Sequence, residues 1–261
     1  MLARAGARAA SLGAPDEGLR YYEQAAGLAD DLVAQAALLE QAGRLGVPAG
    51  RRVEGRGLLE QSIALYEQAG DASSAALASA ALGDIDVVDG KLEEAADRFE
   101  ATLQTLEQLG PSQELAETLA QLGRIQALRG ERERALVTLD RALRLTERLS
   151  LEEVFVQALT SRAISVVHEG RFVESRILLE AAVELARERE FHSAWSRAAN
   201  NLAVAFQDSD RYLEMLELGD ALEAHAKQLG DREQLAGAAW GASRRSCRSD
   251  TGRRRSTDKP K

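Results

Sequence analysis

The segment PSQELAETLAQLGRIQALRGERERALVTLDRALRLTERLS, residues 111–150, decides the fold of this chain. Apolar residues in its first half recur at steps of three and four, the spacing of one helical face: Leu115, Leu119, Leu122 and Ile125. The helix is expected to begin after Pro111-Ser112, which is a helix-start signal, and to end at Gly130, because glycine readily adopts the left-handed conformation that closes a helix.

A second helix is predicted directly after Gly130. Its apolar residues also share one stripe: Ala135, Leu136, Leu139, Leu143 and Leu149. Two helices joined by so short a turn must pack antiparallel, and the small residues Gly123 and Ala135 allow their backbones to approach closely. The segment therefore predicts one antiparallel helical hairpin.

The same pattern recurs along the chain with a period of 40 residues. Three series of mostly small residues mark it: Gly43, Gly83, Gly123, Ala163 and Ala203; then Gly50, Gly90, Gly130, Gly170 and Asp210; then Gly55, Ala95, Ala135, Ser175 and Met215. An earlier unit, marked by Gly6 and Gly18, precedes the second unit at an offset of 37 residues. Repeats of this length indicate a stack of similar units, so the sequence predicts six hairpins and the start of a seventh at Gly230.

These features resemble the tetratricopeptide repeat (TPR). That family has a small residue in the first helix, an alanine twelve residues later and an aromatic residue or leucine four residues beyond, as in Gly83, Ala95 and Phe99. Typical units have about 34 residues, so the longer units here resemble the variants of motor-protein light chains and of large bacterial signalling regulators. Among those regulators are STAND-type ATPases and nucleotide cyclases with C-terminal repeats. The tyrosine of the first helix and the proline at the end of the unit are missing here, which leaves the superhelical pitch open.

The resemblance covers roughly residues 1–240 and implies an all-α fold. The implied architecture is a right-handed α-solenoid of tandem antiparallel helix hairpins, with the first helices on its concave side. One hairpin cannot bury its apolar face alone, so we expect residues 1–242 to form one solenoid. Residues 243–261 have almost no apolar side chains and are expected to form a basic, disordered tail.

Charge is distributed unevenly between these two parts. Residues 1–242 carry 25 basic and 40 acidic residues, whereas residues 243–261 carry eight basic and two acidic residues. The acidic body argues against nucleic acid as the main ligand. The tail has three interpretations: a basic arm for nucleic acid or anionic lipid, an inert solubilising segment, or the product of a frameshift in GC-rich DNA.

The sequence also favours a cytoplasmic protein. No apolar run of about 18 residues is present that could cross a membrane. The single cysteine, Cys247, cannot form a disulfide within one chain. We therefore expect no membrane partner.

Known phosphate and calcium motifs do not fit this sequence. Lys91 follows Gly90, but the other residues of a phosphate-binding loop are missing. The acidic segment that begins at Asp84 has the wrong spacing for a calcium loop. Neither an enzymatic activity nor a cofactor is therefore expected.

The histidines and tryptophans receive structural interpretations. We assign His168, His192 and His225 to three separate hairpins, and none has a second histidine or cysteine at the spacing of a metal site. Trp195 and Trp240 are interpreted as packing residues rather than as a ligand cage. No metal is therefore expected.

A mixed polar and apolar stripe on the first helices is the candidate binding surface. An extended peptide or a partner helix would suit it, and its arginines could pair with carboxylates. Its candidate residues are Arg44, Asp84, Glu117, Arg124, Gln157, Thr160, Arg197, Asn200 and Asn201. For any one of them a solvated surface side chain is the alternative. For Asn200-Asn201, the alternative to binding a ligand backbone is a local hydrogen bond within the hairpin.

The sequence favours a scaffold that binds a protein or peptide partner in signalling or transcriptional regulation. The alternative is a truncated piece of a multidomain ATPase, nucleotide cyclase or transcription regulator whose output domain is missing, because both ends look cut. Nucleic acid is expected to bind only through the basic tail, if at all. The oligomeric state stays open, and uncapped apolar ends would favour end-to-end association.

Overall fold

The computed structural model describes residues 1–167 and 169–229. Within that part of the chain, the regular elements are twelve helices. They are α1 (Leu2–Ser11), α2 (Pro15–Ala26), α3 (Leu32–Arg44), α4 (Arg52–Ala69), α5 (Ala72–Val88), α6 (Leu92–Leu109), α7 (Gln113–Leu128), α8 (Arg132–Leu149), α9 (Glu152–Val167), α10 (Phe172–Glu188), α11 (His192–Asp208) and α12 (Tyr212–Leu229). The expected seventh unit and the basic tail at residues 243–261 lie outside the described residues.

The helices group into two compact units, Met1–Val154 and Phe155–Lys261. In the first unit, α1 packs on α2, α3 on α4, α5 on α6 and α7 on α8, and each of these hairpins packs on the next. In the second unit, α10 packs on α11 and α11 on α12, while Arg162 of α9 pairs with Glu174 of α10 at 3.1 Å. Each unit is therefore built from consecutive helices stacked side by side.

Side-chain oxygens cap the N-termini of three helices that come first in their hairpins. The carboxylate of Asp31 accepts a hydrogen bond from the Ala34 amide at 2.8 Å, and Asp71 accepts one from the Ser74 amide at 3.0 Å. Ser112 caps α7 in the same way. These oxygens satisfy amides that have no partner within the helix, and they confirm the helix start predicted at Pro111-Ser112.

The turn within each hairpin follows the repeat. At the 40-residue spacing, Gly50, Gly90, Gly130 and Gly170 have φ angles between 70° and 78°, and Asp210 has φ 57°. This left-handed conformation is open to glycine at little cost and is tolerated by aspartate. The expectation that Gly130 closes its helix in this way is confirmed.

Close contact between the two helices of a hairpin depends on a second series of glycines. A Cβ added at Gly123 would lie 2.6 Å from Leu139 Cγ, and one added at Gly83 would lie 2.9 Å from Phe99 Cε2. Leu139 and Phe99 are themselves almost fully buried. Each of these glycines therefore makes room for the large side chain that lies 16 residues later in the sequence.

In the first unit, the first helices of successive hairpins also contact one another directly, α3 with α5 and α5 with α7. They therefore lie side by side on one side of this unit, where four of the nine candidate residues fall. Among the described residues, no helix is both long enough and apolar enough to cross a membrane.

Candidate functional site

Four residues of the predicted stripe come together in the first unit. Arg44 lies on α3, Asp84 on α5, and Glu117 and Arg124 on α7. Burial raises the pKa of Asp84 to about 6, the charges of Arg124 and Arg44 lower it, and that of Glu117 raises it. All three neighbours therefore act on Asp84 electrostatically, and we name these four residues the Asp84 cluster.

The carboxylate of Asp84 is the group in this cluster that has no direct partner. Its side chain is half-buried, and among the described residues none hydrogen-bonds to it or lies within ion-pair distance of it. A charged group removed from water normally finds a partner. Its raised pKa is consistent with the cost of leaving that charge without one.

The other members of the cluster have hydrogen-bond or ion-pair partners, most of them on their own helices. Arg44 pairs with Glu40 at 2.7 Å and reaches the Leu77 carbonyl at 3.4 Å. Glu117 is exposed and accepts a hydrogen bond from Gln113 at 2.7 Å.

Arg124 is half-buried, and its Nε donates to Gln121 at 3.0 Å. Burial lowers the pKa of Arg124, while the charge of Asp84 opposes that shift. The arginines thus stay close to Asp84 without neutralising it by contact.

The predicted site residues of the second unit mostly make hydrogen bonds within the protein. Arg197 of α11 donates from Nη1 to the Gln157 carbonyl at 3.3 Å and from Nη2 to the Ser161 hydroxyl at 2.7 Å, which ties α11 to α9. Thr160 is only 1% exposed, and its hydroxyl donates to the Val156 carbonyl at 2.8 Å. Thr160 is therefore a core residue.

The two asparagines are also engaged. The Asn201 side-chain amide donates to the Arg197 carbonyl, one turn earlier, at 2.8 Å, and Asn200 makes an interaction of its own. Asn201 also lines an apolar pocket of about 120 Å³ beside Ile164 and Val204. For Asn201, the structure therefore contains the local hydrogen bond that the sequence left as the alternative.

A buried charge network near the Asp84 cluster was missed by the sequence analysis. Asp86 is 1% exposed and pairs with Arg56 at 2.6 Å and with Arg98 at 2.9 Å. Arg56 also pairs with Asp89 at 3.0 Å. The network joins α4, α5 and α6, and the available signal was an aspartate on the apolar side of α5.

In the acidic segment that begins at Asp84, the carboxylates of Asp86 and Asp89 therefore pair with arginines. No group of three or more His, Cys, Asp or Glu that could hold a metal occurs in the described part of the chain.

The assignment of three histidines to three hairpins is wrong for two of them. His192 begins α11 and His225 lies in α12, so both belong to the last described hairpin. Their ring centroids are 5.0 Å apart, and the ring of Trp195 meets that of His225 edge-on at 4.7 Å. The two histidines are only 33 residues apart, less than one repeat, which is why one hairpin can contain both. His168 lies outside the described residues.

Comparison with proteins of known structure identifies the fold. No protein-family model matches the chain, and no curated protein matches it. A Rap protein complexed with competence and sporulation factor superposes with a TM-score of 0.72 at 13% identity, over 80% of this chain and 58% of that one. The chain thus spans little more than half the length of that Rap protein.

Two further solved structures agree with this result. A STAND protein with a tetratricopeptide repeat sensor from Pyrococcus horikoshii has a TM-score of 0.64 at 12% identity, over 92% of this chain and 39% of that one. BtubC from P. vanneervenii has a TM-score of 0.62 at 14% identity, over 84% of this chain and 91% of that one. At such low identity the likeness concerns the fold alone, and that fold is an all-α solenoid of TPR-like hairpins, as the sequence predicted.

Proposed function

We propose that this protein is an interaction scaffold that binds a peptide or a partner helix on the first-helix side of its first unit. The observation that carries the proposal is the carboxylate of Asp84, which is half-buried among charged neighbours and has no direct partner among the described residues. The proposed role is in signalling or transcriptional regulation in the cytoplasm, without catalysis by this chain.

The chemistry of the Asp84 cluster indicates what the partner carries. A cation of the partner, such as a lysine, an arginine or a free amino terminus, would complete a charge-assisted hydrogen bond to Asp84. Arg44 and Arg124 lie on either side and could receive a carboxylate of the same partner. A peptide segment with alternating charges that crosses α3, α5 and α7 would contact Arg44, Asp84 and Arg124.

The structural likeness supports this proposal. One similar protein was solved as a complex with competence and sporulation factor, and another carries its tetratricopeptide repeats as a sensor. The second likeness also favours the alternative function, a repeat region that regulates an output domain, because the chain corresponds to 39% of that STAND protein.

The experiment is a pull-down from the source cell with the full chain and with Asp84→Asn as bait, analysed by quantitative mass spectrometry. Asp97→Asn is the matched control, because Asp97 is exposed on α6 and its substitution changes the charge by the same amount. We expect a partner that the parent chain and the control retain and that Asp84→Asn loses. A partner that all three retain equally would show that the site lies elsewhere.

A further inference from the structure

The second unit contains a groove that the proposed function does not use. It lies where α10, α11 and α12 meet and has a volume of about 490 Å³, within the range of about 300–1,000 Å³ typical of small-molecule sites. The residues that matter for its chemistry are Arg187, Glu190, His192, Trp195, Ala221 and His225. Alanines on α10 and α12 form the rest of its wall.

The repeat shows how the charges of this groove differ from those of its counterpart in the first unit. A groove of about 460 Å³ also lies between α6 and α8, and it is bridged by the ion pair Arg134–Glu100 at 2.8 Å and by the ion pair Arg141–Glu107. Two repeats later, 80 residues on, alanine stands at 221 in place of Arg141, and arginine stands at 187 in place of Glu107.

The ion pair Arg141–Glu107 therefore has no counterpart across this groove, and the position equivalent to Glu107 carries the opposite charge. Arg187 pairs instead with Glu184 of its own helix, at 3.5 Å, and its side chain is 57% exposed. Its guanidinium can therefore turn toward a ligand in the groove at little cost.

Two buried nitrogen atoms of residues that line the groove have no hydrogen-bond partner among the described residues. Trp195 is 7% exposed, and the two atoms are its Nε1 and the Nε2 of His225. The indole N–H can only donate, so it calls for an acceptor, and leaving it unmet costs free energy. Both residues line the groove, and the His225 ring also hydrogen-bonds the backbone of His192.

The charges around the groove favour an anion. Among the described residues that line the groove, Arg187, His192 and His225 can each carry a positive charge, against the carboxylate of Glu190. Glu184, the ion-pair partner of Arg187, lies outside this lining. Burial and the charge of His192 lower the pKa of His225. A carboxylate placed beside that ring would favour its charged form again.

We infer that this groove binds a carboxylate carried on a small aromatic or apolar body. The carboxylate meets Arg187 and the donors of Trp195 and His225, and the apolar body rests on the indole ring and the alanine wall. The site belongs to the second unit and is separate from the Asp84 cluster.

The test is an NMR titration of the ¹⁵N-labelled full chain with phenylacetate, following the indole N–H resonance of Trp195, which Trp195→Phe identifies. Phenylacetamide, the neutral analogue, tests the need for charge. A peptide that ends in phenylalanine, with a free or an amidated carboxyl terminus, tests whether the carboxylate comes from a partner chain. We expect a saturable shift with phenylacetate or the free peptide at about 1 mM or below, and none with the two neutral forms.

Matched variants locate the site. Arg187→Gln should weaken binding about tenfold, the loss of one charge-assisted contact, and Arg144→Gln on α8 should leave it unchanged. The double variant Arg187→Glu/Ala221→Arg rebuilds the ion pair of the first unit and should abolish binding while far-UV circular dichroism stays the same. The inference is overturned if no acid gives a saturable shift, if the neutral analogues bind equally well, or if Arg187→Gln binds like the parent chain.

Discussion

At the scale of single residues, the clearest departure from ordinary behaviour is the ionisation of Asp84. Its pKa of about 6 lies above the value of about 3.9 that an aspartate has in an unfolded chain. Between these two values the folded protein holds a proton that the unfolded chain has released, so the stability of the fold decreases as the pH rises through that window. Above that pH window, the folded state keeps the full free-energy cost of the buried charge.

Asp84→Asn removes that cost, because the amide is neutral at every pH. We expect the variant to be more stable than the parent by about 1–2 kcal/mol at pH 7 and equal to it near pH 4. Urea denaturation at a series of pH values measures the difference. A gain in stability that is the same at both pH values would show that the pKa of Asp84 is not raised by burial.

At the scale of helices, the Asp86 network joins α4, α5 and α6 through one carboxylate. Removing one partner of a buried ion pair leaves the other charges uncompensated, at a cost of about 3–5 kcal/mol. Asp86→Asn should therefore destabilise the fold by about that amount. Asp89→Asn is the matched control, and it should cost less than about 1 kcal/mol because the Asp89 side chain is 27% exposed. Equal losses in urea denaturation would contradict the assigned role of Asp86.

The packing of α7 on α8 leads to a second prediction at this scale. Gly123→Ala places a methyl group 2.6 Å from Leu139 Cγ, and such overpacking costs about 1–3 kcal/mol. Gly57→Ala is the control, because an added Cβ there meets nothing within 4 Å and alanine favours the helix by about 1 kcal/mol. The two substitutions should shift the thermal midpoint in opposite directions, and a rise for both would refute the close contact in α7–α8.

At the scale of the whole molecule, the repeat made the hairpins predictable. Equivalent residues stand 40 positions apart, so one well-marked unit located the turns and the close glycine contacts of the others. The stripe was less predictable. Successive residues of a helix are rotated by about 100°, so a residue at i+3, such as Thr160 relative to Gln157, is rotated about 60° from residue i.

That rotation turned Thr160 toward the core, where it is 1% exposed. Asp86 and the His192–His225 pair escaped prediction for a different reason. Arg56 and Arg98 lie on the helices next to that of Asp86, and His225 lies on the helix next to that of His192. Helical periodicity carries no information about contacts between helices.

The regular turns have a consequence for how the chain can change. Because Gly50 and Gly90 occupy the same left-handed position, excising residues 51–90 would join Gly50 to Lys91 with the register of the hairpins intact. Gly43 would then face Phe99, the partner that Gly83 has now. Such a chain, shortened by one module, should keep its helical circular dichroism per residue and lose Asp84. A loss of helicity would mean that the modules are not interchangeable. If it folds, recombination between repeats could remove or restore the Asp84 cluster in one step, without an intermediate chain that is unable to fold.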